Sequence, residues 1–270
     1  MWPAIPRQLA GLIAGAMLLL PIGSAWAASP YFPDPTYSST RYNDDFTYLA
    51  NKSKGTDAWD MFKYMPIADS PYGPTYLSFS GEVRERFESY LNPNFGIRAP
   101  KSNAYLLQRL VLGADLHMTD YFRAFIQVGE WDRLGNRGLP STTDINHLDM
   151  LQGFVDIRPP LPVPTVNLPI FRIGREEILF GYQRLVAVRE GPNVRRAFDV
   201  FRFIEQWGGA TFNLLGVRPV ANSIGVFDDH TNMNQLLWGA YFTVPLGPAM
   251  KADLYELNSL LSGSLILDLR

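Results

Sequence analysis

The stretch Tyr76–Leu91, YLSFSGEVRERFESYL, alternates with a period of two. Leu77, Phe79, Val83, Phe87 and Leu91 occupy odd positions, and Ser78, Ser80, Glu82, Arg84, Arg86 and Glu88 occupy even ones. In an extended strand successive side chains point to opposite faces, so the pattern predicts one apolar face and one charged face. A helix of the same sequence would spread its charges around both sides. Glu85 alone is out of phase.

The device recurs downstream. In Ala104–Met118, residues Leu106, Leu110, Leu112, Ala114, Leu116 and Met118 share one parity, while Arg109, Asp115 and His117 share the other. A tight turn at Thr119-Asp120 leads into a third strand, Tyr121 to Arg133, with Phe122, Ala124, Ile126 and Val128 opposite Arg123 and Gln127. In a fourth, His147 to Arg158, Leu151, Val155 and Ile157 oppose Gln152, Asp156 and Arg158. Further strands are predicted at 170–180, 197–206, 210–218, 235–244 and 250–258, about nine in all. Long polar links at 92–103, 134–146 and 181–196 alternate with short or proline-rich ones.

A soluble sandwich also has strands with one apolar face, but its strands run to about 5–6 residues and its wet face mixes Lys with Glu. Here the strands are longer, the charged face is arginine with Asp and Glu, and the links are asymmetric. These features predict an all-β, antiparallel outer-membrane β-barrel with lipid-facing apolar residues and a polar lumen. Tyr121, Phe122, Trp131, Trp207, Trp238 and Tyr241 lie near strand ends and are expected in its aromatic girdles.

The composition fits. The 270 residues include no cysteine, which excludes disulfides and thiolate metal sites, and the net charge of -2 gives no general pull toward nucleic acid. Arg7, the apolar run Leu9–Ile22 and the Ala25-Trp26-Ala27 site read as a cleaved signal peptide over 1–27. Residues 28–75 show neither period; six prolines punctuate them, with one short helix expected near Asp57–Tyr64. They read as a periplasmic lead-in or plug ahead of barrel residues 76–270.

The stretch Arg172–Phe203, RIGREEILFGYQRLVAVREGPNVRRAFDVFRF, contains seven arginines and no lysine, with Arg158 just upstream. The guanidinium fork grips a carboxylate through two parallel hydrogen bonds, whereas lysine is a point charge. Recognition of a planar anion accounts for such a run. So does structural pairing with Glu176, Glu177, Glu190 and Asp199, and the stretch alone leaves both readings open.

The segments RLVLGADLHMTDYFRAFIQVGEWDRLGNR (109–137), LDMLQGFVDI (148–157), FRIGREEILFGYQRLV (171–186), REGPNVRRAFDVFRF (189–203) and VRPVANSIGVFDD (217–229) resemble the alginate export family of outer-membrane porins. The likeness extends from Ser78 to Asn258, and R-x-G-R-x-E-x-x-F-G-x-x-R-L-V followed by R-x-F-D is its most specific element. The resemblance implies a closed monomeric barrel of about 18 strands in the outer membrane, with an arginine-lined constriction passing a polyuronate. About nine strands and a C-terminal Arg270 depart from that pattern, so the chain is expected to be the N-terminal part of such a barrel.

In this reading Arg84, Arg86, Arg109 and Arg123 face the lumen from strands, and Arg172, Arg175, Arg184, Arg195 and Arg196 join them from the central stretch. Asp115, Asp156, Glu176 and Asp199 are the expected counter-charges, tempering the arginines so that an anion enters yet leaves. Arg175 and Arg184 carry the family motif, although Arg175 shares the parity of Phe171 and Ile173 and needs a bulge or a switch of face. The expected partners are an anionic polysaccharide, outer-membrane lipid and periplasmic polysaccharide-export proteins, with no cofactor. Uptake of a small acidic substrate is the alternative. Catalysis is disfavoured: in Asp228-Asp229-His230 two adjacent acids would point to opposite faces of a strand and the triplet sits in a loop, His117 and His147 lack metal-ligand spacing, and no G-x-S-x-G occurs.

Overall fold

The computed structural model describes residues 37–55, 58–97, 102–135, 138–160, 168–247 and 250–261. The expected signal peptide at 1–27 lies outside them. Eleven strands form: β1 (Met65–Ser70), β2 (Gly73–Leu91), β3 (Ser102–Met118), β4 (Phe122–Leu134), β5 (Asn146–Ile157), β6 (Ile170–Glu176), β7 (Phe198–Trp207), β8 (Ala210–Ala221), β9 (His230–Thr231), β10 (Gln235–Gly247) and β11 (Met250–Leu261). Each pairs antiparallel with its sequence neighbour in one meander, except that β9 is a two-residue spur on β8. All nine strands predicted from alternation are present. The additions are β9 and β1, which pairs with the start of β2. Among the described residues β1 and β11 are the sheet's two edges.

Burial is inverted relative to a soluble domain. Val83 is 61% and Phe87 70% exposed, and Leu112, Ile126, Ile173, Phe201, Leu214 and Leu254 are exposed along the same face. Arg109, by contrast, is 1% exposed, and Gln127, Gln152 and Asp156 are fully enclosed. Apolar side chains turned outward need a hydrocarbon solvent, as an outer-membrane barrel wall has. Phe171, Phe203, Phe212 and Phe242 run edge-to-face across β6, β7, β8 and β10, with Trp207 stacked on Phe242 at 5.7 Å. No helix of the described residues is long and apolar enough to cross a membrane.

The connections alternate in length, except that the proline-rich link from β5 to β6, residues 158–169, is as long as those opposite it. Short turns join β1 to β2, β3 to β4 and β7 to β8; long links follow β2, β4, β6 and β8. The links after β2, β4, β6 and β8 therefore share one end of the sheet, as the outer loops of such a barrel do.

Three side chains depart from the predicted facing. Leu151 is the extra residue of a bulge where Gln127 pairs with Gln152 and Val128 with Met150. The bulge turns it inward against Val111 and Trp131. Trp131 is itself enclosed at 1% exposure, and Tyr241 is buried against Phe180, their rings 4.3 Å apart. Neither belongs to an outer girdle. The strand predicted over 170–180 ends at Glu176, after which the chain folds back across the polar face.

Candidate functional site

At the level of the short turns, register places Arg123, Asp156, Arg172 and Arg202 side by side on β4, β5, β6 and β7. Arg123 Nε and Nη2 donate to Asp115 Oδ1 and Oδ2 at 2.8 and 2.6 Å. Arg172 Nε and Nη2 grip Asp156 at 2.7 and 2.8 Å, the two-bond fork that arginine suits. Arg172 and Arg202 are direct cross-strand neighbours of like charge. Glu176 reconciles them, accepting from Arg172 Nη1 at 2.6 Å and from Arg202 Nη1 at 3.1 Å.

Toward the long loops a second cluster forms because link 177–197 folds over the polar face. Glu190 accepts from Arg84 and from Arg109, each at 2.8 Å, and lies 3.3 Å from Arg195. Burial would raise the Glu190 carboxyl, but the Arg109 hydrogen bond and the surrounding guanidinium charges hold it below its ordinary value. Glu82 holds Arg109 at 2.8 Å and Arg195 at 3.1 Å. Arg86 pairs with Glu88 and donates to the Gly191 carbonyl. Asn193, fully buried, pins the link by donating Nδ2 to the carbonyls of Gln108, Asp132 and Asp144. Glu177 begins the link 2.9 Å from Arg195, and burial pushes its carboxyl up to about 7 against the pull of that guanidinium.

The N-terminal segment rests on the same face. Tyr42 stands edge-on to Phe125 and Phe154, its hydroxyl donates to the Glu177 carbonyl at 2.9 Å, and Arg172 lies 4.6 Å above its ring. Arg123 Nη2 donates to the Tyr42 carbonyl, and Arg195 Nη1 to that of Ser39 at 3.0 Å. Beside this contact opens a cavity of about 620 Å³, lined by Tyr42, His117, Arg123, Arg158, Arg172 and Arg202 among others.

Of the residues predicted from sequence, Arg84, Arg86, Arg109, Arg123, Arg172 and Arg195 all reach the polar face, each holding a carboxylate. Asp115, Asp156 and Glu176 are there as counter-charges. Arg175 and Asp199 are elsewhere. Strand pairing runs through Arg175 without a shift, so it keeps the parity of Ile173 and bonds Asp199 at 2.8 Å near the long-loop end, with Thr231 Oγ1 capping that carboxylate at 2.7 Å. Arg184 is exposed in link 177–197, and the half-buried Arg196 has no carboxylate partner among the described residues. Burial, and then Arg189 nearby, lower the Arg196 pKa. Sequence reasoning misses Tyr42 and leaves Glu82 and Arg202 off the candidate site, while Glu177 and Glu190, read there only as structural partners of the central arginines, do lie against Arg195. Glu82 and Arg202 share the polar parity of their strands, a signal that could have found them. Tyr42 and Glu190 come from segments with no period to read.

The acids Asp228 and Asp229 are in the loop expected for them. Strand parity therefore does not separate them, and with Asp149 they bring one carboxylate oxygen each to within 4.8 Å of one another. Their oxygens bind loop groups. Asp149 Oδ2 accepts from the amides of Asp228 and Asp229 at 2.9 and 3.0 Å, and Asp229 accepts from the Ser223 amide at 2.7 Å and from Asn146 Nδ2 at 2.8 Å. The trio tethers the 222–229 loop to the start of β5.

Comparison with known proteins agrees with this geometry. Neither curated proteins nor solved structures give a match. A family model, described as alginate export, matches residues 75–259, which spans β2 to β11 and both arginine clusters. That family consists of transport porins rather than enzymes. The outward apolar face, the inward ion-pair face and this match together establish that the chain belongs to the alginate export family of outer-membrane β-barrel proteins.

Proposed function

We propose that the polar face is the wall of a passive path for a polyuronate, selective for anions through arginine. The observation that carries this reading is the cross-strand row Arg123–Asp156–Arg172–Arg202, in which cations outnumber the acid within the row and Glu176 serves two guanidiniums at once. A uronate chain offers one carboxylate per sugar and can exchange with these acids for the arginine forks. Because each arginine already holds a carboxylate, no sugar is bound tightly, and conduction needs that compromise. Arg184, Arg189 and Arg196 on the inward-folded link supply cationic charge next to the paired set. The apolar face contacts lipid, the chain acts as a monomer after removal of residues 1–27, and the segment ahead of β1 is the lead-in or plug on the periplasmic side, shorter than the 28–75 expected from sequence because β1 and the start of β2 belong to the sheet.

Planar-bilayer conductance of the reconstituted protein, with and without mannuronate oligomers, tests the reading. An anion-selective current blocked by the oligomers is expected. A current indifferent to uronates would remove the substrate and leave the porin.

A further inference from the structure

We infer that residues Ser39–Asp44 are an internal ligand of the arginine face, occupying guanidinium donors that a uronate carboxylate takes over when it enters. The inference rests on the polyuronate reading above. Its basis is a difference in what the arginines hold. Arg172, Arg202 and Arg109 hold only groups of the barrel wall or of link 177–197: carboxylates, together with the Asn213 side-chain oxygen for Arg202 and the Pro192 and Asn193 carbonyls for Arg109. Arg123 and Arg195 each give one Nη donor to a main-chain carbonyl of the N-terminal segment, Tyr42 and Ser39 respectively. A neutral carbonyl is a weaker acceptor for a guanidinium than a carboxylate, because it brings no opposite charge. Neutral carbonyls also serve Arg84, Arg86 and Arg109, but those belong to the link that Asn193 pins, so the donors of Arg123 and Arg195 are the ones that come free when the N-terminal segment moves.

The segment is also built to detach in one piece. It is folded on itself: the Ser38 amide donates to Asp44 Oδ1 at 2.6 Å, Asn43 Nδ2 to Thr40 Oγ1 at 2.7 Å, and Arg41 lies 3.6 Å from Asp44. Of its buried side chains, Thr40 bonds Ser38 and Asn43 within the segment, while Tyr42 packs on Phe125 and Phe154 of the wall and makes its single side-chain hydrogen bond to the Glu177 carbonyl. Arg172 over the Tyr42 ring adds a cation–π contact that stays available to Phe154, 3.9 Å from the same guanidinium, when the tyrosine leaves. The cavity beside Tyr42 opens on Arg123, Arg158, Arg172 and Arg202, so an arriving anion reaches these cations next to the segment.

Because the chain has no cysteine, Ser39→Cys gives a single labelling point on an exposed side chain while keeping the carbonyl that Arg195 uses. Spin-labelled full-chain protein in detergent is titrated with mannuronate hexamer, with maltohexaose as the neutral control, and binding is followed in parallel by calorimetry. The hexamer, and not maltohexaose, is expected to mobilise the label. Tyr42→Phe, which keeps the ring and loses only the Glu177 bond, is expected to tighten hexamer binding about 3- to 10-fold, the worth of one hydrogen bond no longer competing. Hexamer binding by calorimetry with an immobile label and an unchanged Tyr42→Phe affinity overturns the internal-ligand inference alone. No hexamer binding by either readout overturns the polyuronate reading and this inference with it.

Discussion

Arg172 and Arg202 face each other across β6 and β7 as like charges, and Glu176, 0% exposed, is the carboxylate that lets both be buried. Removing that anion strands two guanidiniums in a site away from water. Loss of one partner from a buried ion network costs about 3–5 kcal/mol, because the remaining charge keeps its desolvation penalty. Glu176→Gln is therefore expected to lower stability by about that amount, read as the urea midpoint of the protein folded in lipid vesicles. Arg202→Met, which removes one of the two cations, is expected to cost less. Equal losses would show that Glu176 does not serve the pair.

Gly174 lies between Arg172 and Arg175 with φ +135°, a region that side-chain-bearing residues rarely adopt. A Cβ there would overlap the Gly153 carbonyl oxygen and come to 2.7 Å from Phe154 Cα. Both are backbone atoms of the paired strand β5 and cannot rotate away. Gly174→Ala is expected to destabilise the sheet by about 2–4 kcal/mol, from strain and overpacking together, and to reduce the heat-modifiable folded band on gels. A wild-type band and urea midpoint would mean the β5–β6 pair can relax.

Much of this architecture is legible in the sequence because strands between lipid and a polar lumen obey parity strictly. A residue out of phase meets the wrong medium, charge for an apolar side chain and hydrocarbon for a polar one. Val83, Phe87 and Leu112 outside, and Arg84, Arg109 and Arg123 inside, follow from counting alone. Counting misplaces Leu151 because a bulge shifts parity by one, and no single residue type announces a bulge. Strand β1, MPIADS, alternates in nothing and is exposed throughout, so only its pairing to β2 reveals it. The ion-pair partners are half legible. Acids on strands can be assigned to a face, whereas Glu190 reaches Arg84 and Arg109 only because link 177–197 folds inward, held by Asn193. The motif residue Arg175 gives a misleading signal, since its carboxylate partner is Asp199 on the other parity of the sheet.

Glu177 gives the fold a pH dependence. Burial raises its folded-state pKa to about 7 from an ordinary value of 4.5. The folded state then binds more protons than the unfolded chain between those values, so this residue's stabilisation is fully present below pH 4.5 and is lost as pH rises through 7. The loss is on the order of 3 kcal/mol, since each tenfold difference in proton affinity between the two states is worth about 1.4 kcal/mol. Glu177→Gln is expected to flatten the fall in stability between pH 5 and pH 8, about the window set by those two values. An unchanged slope in the variant would assign the dependence to another group.

Arg189 and Arg196 should behave unlike the strand arginines. Among the described residues neither holds a carboxylate, and Arg196 has its pKa lowered by burial and by Arg189, so the pair repels itself in the absence of an anion. An incoming uronate relieves that repulsion, whereas at Arg172 it must compete with Asp156 and Glu176. Alanine at either loop position is thus expected to leave the urea midpoint within about 0.5 kcal/mol of wild type while weakening mannuronate-oligomer block about 3- to 10-fold, the net worth of one hydrogen bond made beside water. The weakening should shrink as salt rises, because half-exposed charges are screened over about 8–10 Å near physiological ionic strength. Arg172→Ala should do the reverse, lowering stability first. If Arg189→Ala and Arg196→Ala leave oligomer block and its salt dependence untouched, the selective contacts lie among the paired arginines of the wall and not on the inward-folded link.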